Sequence, residues 1–161
     1  MGHCITAIIL KGCYEKAKAG EFDLVGVHLA PGLTLFHIDI YYTEYWQRRL
    51  GSKRFLETSF NGDAITFPSE YAIAEIMMAI TGEPEPMFAI IQTDYFGGAG
   101  QQFAHVYRGG KNVDPAGIRT INQALNYLGV TAQSGKDEFD TAGLSQVRQQ
   151  PDHLDKYADM N

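Results

Sequence analysis

Cysteine is scarce in this 161-residue chain, which holds only Cys4 and Cys13. One possible bridge is too few for a disulfide framework, and neither thiol lies in a C-x-x-C pair or a histidine-rich zinc pattern. Basic residues are in deficit, with 13 Lys and Arg against 19 Asp and Glu, a formal charge of −6. Such a chain is a poor general nucleic-acid binder, because phosphate affinity needs clustered Lys and Arg. Long apolar runs are missing as well. The stretch Ile5 to Leu10 falls far short of the ~20 residues of a membrane span, and Lys11-Gly12 ends it without a signal-peptide layout. These absences predict a cytoplasmic protein with reduced thiols, no cofactor, and neither nucleic acid nor membrane as partner.

What is present is ordinary globular composition, 45% hydrophobic and 20% charged, at a length that suits one domain with a sizeable core. The expectation is a single domain over 1–161, with a polar loop and a short helical tail from about residue 130. Internal repeats and low-complexity blocks are lacking. The basic cluster Arg48, Arg49, Lys53 and Arg54, flanked by Glu44 and Glu57, reads as a solvated helix end complementing the helix dipole.

Hydrophobic periodicity sets the element order. Cys4 to Leu10 reads as a strand buried on both faces. Gly12 to Gly20 suits one or two helical turns. Leu24–Leu29 and Leu33–Ile38 are strands joined by the turn signal Ala30-Pro31-Gly32. Asp39 then caps a helix that carries Tyr42, Trp46 and Leu50 on one stripe and ends at Gly51. Residues 52–65 have no clean period and read as a long loop with a turn at Asn61-Gly62 or Gly62-Asp63. Pro68 suits the first turn of a helix whose core stripe is Ile73, Ile76, Met77 and Ile80.

Met87–Tyr95 and Gln101–Arg108 read as strands joined by a glycine-rich loop. Gly109-Gly110 leads to a short strand at Lys111–Val113. A helix follows from about Ala116 to Leu128. Strands that arrive in hairpin pairs favour antiparallel pairing. The fold class expected is α+β: a mainly antiparallel sheet of five to six strands in two hairpin units, with helices mainly on one face. A three-layer sandwich with a mixed sheet is the rival.

No stretch matches a high-specificity catalytic motif, so the candidate sites rest on placement. Gly97, Gly98 and Gly100 follow a strand but precede another strand, so the helix dipole of a phosphate-binding loop is lacking. With a four-residue loop, Asp94 would face Phe103, Gln92 would face His105, and Ile90 would face Tyr107. Gln92, Asp94, Gln101, Phe103, His105 and Tyr107 would then share one polar-aromatic face beside the glycines. That face is the expected ligand or partner surface.

Asp94 and His105 are the acid–base candidates, with loop amides available to developing negative charge. Cys4 is the nucleophile candidate. It is expected to be buried and inert, because its neighbour His3 should point to the opposite face. His28, His37 and Asp39 are the residues that a metal would use, although no metal is expected.

Three functions follow as expectations. The first is a small binding or regulatory protein that recognises a protein partner, such as an acidic antagonist of toxin-neutralising type acting on a basic protein. The second is a small-molecule enzyme using Asp94 and His105. The third is a structural subunit self-associating through exposed tyrosines such as Tyr41 and Tyr45, a homo-oligomer. The absence of a chemical motif weighs toward the first and against an enzyme.

Overall fold

The run Thr-Ala-Ile-Ile-Leu leaves a strand with no polar face, so both of its sides need cover. The computed structural model, which describes residues 2–60, 67–96 and 99–160, puts that strand at the centre. β1 (Thr6–Lys11) lies between β3 (Leu33–His37) and β4 (Met87–Phe96), antiparallel to both. The sheet order is β2-β3-β1-β4-β5-β6, with β2 at Gly26–Leu29, β5 at Ala99–Arg108 and β6 at Lys111–Asn112. Every pairing of these strands is antiparallel, as hairpin connections require. The α+β class read from the sequence is the architecture found.

Helices cover both faces, with the larger layer on one. α1 (Lys16–Glu21), α2 (Ile40–Leu50), α3 (Ala72–Thr81) and α6 (Lys156–Asp159) belong with Ile8, Leu10, Phe36, Phe88, Ile90 and Tyr107. α4 (Ile121–Tyr127) and α5 (Glu138–Thr141) belong with Ala7, Ile9, Leu35, Ala89, Ile91 and Val106. The expected stripe of α3 is buried throughout, each large side chain contributing ~1.5–3 kcal/mol. On α2, Tyr42 is buried, but Leu50 is 39% exposed and Gln47 takes a buried position. Gln47 earns it by bonding at both ends of its amide. It donates to Arg54 O at 2.7 Å and accepts from Ala72 N–H at 2.9 Å.

Some boundaries differ from expectation for local reasons. The helix expected from Ala116 starts at Ile121. Asp114 first accepts the Gly117 N–H in a turn, and Thr120 with Gln123 then forms a capping box that sets the start. Pro68 lies before α3 in non-helical backbone, and Tyr71 is the residue that precedes the helix. The turn expected at 61–63 lies outside the described residues.

The tail completes the sheet. β3 ends at His37, and residues 148–150 run beside the start of β1. Cys4 N–H donates to Arg148 O at 2.9 Å. The Gln150 side chain accepts from Thr6 N–H at 3.0 Å and donates to Ile38 O at 2.7 Å. Among the described residues, no helix is long and apolar enough to cross a membrane.

Candidate functional site

β4 and β5 form the longest pairing of the sheet. Its register sets Phe88 opposite Tyr107, Ile90 opposite His105, Gln92 opposite Phe103, Asp94 opposite Gln101 and Phe96 opposite Ala99. The register expected from a four-residue loop is displaced by two, because Ala99 and Gly100 belong to β5. A displacement by two preserves the face, as side chains alternate with period two. Gln92, Asp94, Gln101, Phe103, His105 and Tyr107 therefore do share one face. Gly97 and Gly98 lie outside the described residues. Gly100 lies opposite Tyr95, so close to β4 that a Cβ there would collide with the Asp94 carbonyl oxygen.

That face is graded from core to solvent. At its lower end Tyr107 and His105 are fully buried, which removes them from the expected ligand surface. The segment before residue 60 covers them. Tyr107 Oη donates to Glu57 O at 2.9 Å, and the ring of Phe60 stacks on His105 with centroids 4.4 Å apart. The loop lacks any hydrophobic period, so nothing in the sequence announces this cover.

His105 is committed at both nitrogens. Nε2 accepts the Ser59 backbone N–H at 3.0 Å, and Nδ1 lies 3.0 Å from Ile118 O, to which it must donate. This assigns the neutral Nδ1–H tautomer. Burial holds the imidazole pKa below its ordinary value, and Arg119 adds to that. The Ile118 bond and Glu57 act the other way.

Asp94, opposite Gln101, lies four residues along the strand from His105, roughly 13 Å away. The expected acid–base pair is therefore not brought together.

The upper end opens into a cavity of about 220 Å³. Cys4 and Thr6 from the first strand, Gln92 and Asp94 from β4, and Gln101 and Phe103 from β5 line it. Cys4 is exposed, contrary to the expected burial. Residues 3–5 extend past the last β1–β3 pair, Ala7 with His37, and Cys4 lies on the face of half-buried Thr6, opposite the face where Phe139 of α5 packs on His3. The alternation of faces holds, however. His3 points to the opposite side, where it bonds Thr93 Oγ1 at 2.8 Å and Leu144 O at 3.0 Å. Among the described residues, no imidazole lines the cavity beside the Cys4 thiol. Cys4 and Thr6 were missed as partners of the hairpin face. Their place beside β4 depends on strand order, which the sequence does not encode locally.

Phe96, at the end of β4, is 73% exposed. Its ring approaches Gly2, where an added Cβ would lie 3.6 Å from Phe96 Cε1 and 2.7 Å from Tyr95 O. The hairpin end thus combines an open aromatic ring, one carboxylate and two carboxamides.

The histidines of the metal hypothesis are separated. His28 lies opposite Thr34, three residues before His37 on β3. An odd offset sends His28 and His37 to opposite faces. Asp39 is occupied as the α2 N-cap, accepting Tyr42 N–H at 2.8 Å. Comparison with protein-family models, characterised proteins and solved structures finds no match for this chain.

Proposed function

We propose that this protein is a binding protein that docks a basic protein partner on the open end of the β4–β5 hairpin. The observation that carries the reading is the pairing of exposed Phe96 with the adjacent cavity holding Asp94, Gln92, Gln101 and Thr6. An aromatic anchor beside a desolvating polar hollow is the usual form of an interface hot spot. A single carboxylate flanked by two carboxamides and a hydroxyl suits a guanidinium or ammonium group, which offers only donors. The net charge of −6 favours encounter with a basic partner and raises the association rate more than the affinity. An antagonist that neutralises a basic protein is the form of this function that the charge fits.

The test uses the full chain as immobilised bait in extract of its source cells, at low and high salt, beside Asp94→Asn and Phe96→Ala. The expected result is a basic protein retained at low salt, weakened by high salt and lost with both variants. Equal retention by wild type and variants overturns the reading.

A further inference from the structure

The opposite face of the same hairpin holds a second and larger cavity, of about 350 Å³. It lies where α4, α5 and the tail meet the ends of β4 and β5. Two aromatic side chains line it, Tyr95 from β4 and Phe139 from α5, with Arg148 and Asp137 also on the lining. His3, Gln102, Asn122 and Ser145 complete the polar lining.

These groups are held by bonds to the scaffold. Tyr95 Oη accepts from Gln102 Nε2 at 2.9 Å, so its own proton remains to be donated. Asp137 caps α5 by accepting Asp140 N–H at 2.9 Å and also accepts from Asn122 Nδ2 at 3.2 Å. Asn122 in turn accepts Phe139 N–H at 2.9 Å, which anchors the Phe139 backbone. The ring of His3 packs edge-on against Phe139 with centroids 5.0 Å apart. Arg148 donates through Nε to Gly2 O at 3.2 Å. A guanidinium has five N–H donors and a fixed charge, and a carboxylate has about four acceptor positions.

A cavity at the small end of the ~300–1,000 Å³ ligand range, with one cation, one anion and aromatic walls, has the chemistry of a small zwitterion carrying an apolar group. We propose that this cavity binds a free α-amino acid with an apolar side chain. The carboxylate pairs with Arg148, the ammonium group with Asp137, and the side chain lies against Phe139 and Tyr95. This site is separate from the hairpin surface above and stands or falls without it.

The test is an NMR titration of the full chain with L-phenylalanine, L-phenylalaninamide and N-acetyl-L-phenylalanine. The amide lacks the carboxylate and the acetyl compound lacks the ammonium. Phenylalanine is expected to give saturable shifts at the amides of Tyr95, Asn122, Phe139 and Ser145. Each derivative should bind at least about tenfold more weakly, the loss of one charge-assisted bond.

Arg148→Gln should abolish discrimination between phenylalanine and its amide. Asp137→Asn should abolish discrimination against the acetyl compound, and Asn still caps the helix. Equal binding of all three compounds, discrimination by one end only, shifts confined to other surfaces, or no saturable shift each overturns the proposal. Discrimination retained in both variants overturns the assignment of the two charges.

Discussion

Ser59 donates its backbone N–H to His105 Nε2 at 3.0 Å. The bond ties an aperiodic loop to the middle of β5 and turns a titratable side chain into a structural acceptor. Protonation of that nitrogen would remove the acceptor. With the tautomer assigned above, His105 is a buried hydrogen-bonding member of the core.

Acid should destabilise the protein in a defined window. His37 is buried, its Nε2 has no hydrogen-bond partner among the described residues, and its pKa is pushed down to about 4 by burial first and by nearby His153 second. The unfolded chain, with the ordinary histidine value of about 6.5, binds this proton while the folded one does not. Stability is therefore full above pH ~6.5 and is lost as pH falls toward 4, by about 3 kcal/mol from this group. His105, also shifted down, acts in the same direction. Urea denaturation across this pH range checks it, and His37→Gln should flatten the slope.

Tyr107 and Asn112 should be energetically coupled. Both donate to the Glu57 carbonyl, at 2.9 and 3.0 Å. Tyr107→Phe or Asn112→Ala alone leaves that oxygen one partner, whereas the double variant leaves it with neither. Tyr107→Phe should cost about 1 kcal/mol. The double variant should exceed the sum of the singles by at least ~0.5 kcal/mol. A double-mutant cycle from denaturant midpoints measures the difference, and strict additivity would count against a shared acceptor.

Gln150→Ala should cost about 2 kcal/mol, because one side chain satisfies Thr6 N–H and Ile38 O together. The loss should appear first as faster hydrogen exchange at Thr6 and faster proteolysis after residue 147. Uniform destabilisation with no local signature would argue against an edge role for the tail.

Gly100→Ala should disturb the hairpin end alone. The new methyl would meet the Asp94 carbonyl and Tyr95 Cα, the latter at 2.7 Å, so β4 or β5 must shift. Amide chemical shifts are expected to change for residues 94–101 and to stay near wild type at Ile8 and Ile90. Partner binding, if it uses Asp94, should fall with the same variant. Gly20→Ala, where a Cβ meets nothing within 4 Å and the backbone is not left-handed, is the control for substituting a glycine in open space.

Much of this fold follows from local sequence. Period-two and period-3.6 patterns located β1, β4, β5 and α3, and Asp39 and Gly51 marked the ends of α2, because a cap bond or a left-handed backbone is a contact within a few residues. The shared face of Gln92, Asp94, Phe103 and His105 was likewise legible. Alternation survives a register displaced by two. What only the tertiary structure decided is which part of that face is open. The cover over His105 and Tyr107 comes from a loop some 50 residues earlier, and Cys4 joins the upper cavity because β1 lies beside β4. The second cavity gathers His3, Tyr95, Asp137 and Arg148 from both ends of the chain and from the middle. Contacts of such separation are set by which apolar surfaces pack together, and hydrophobic burial carries no directional code that a linear pattern could reveal.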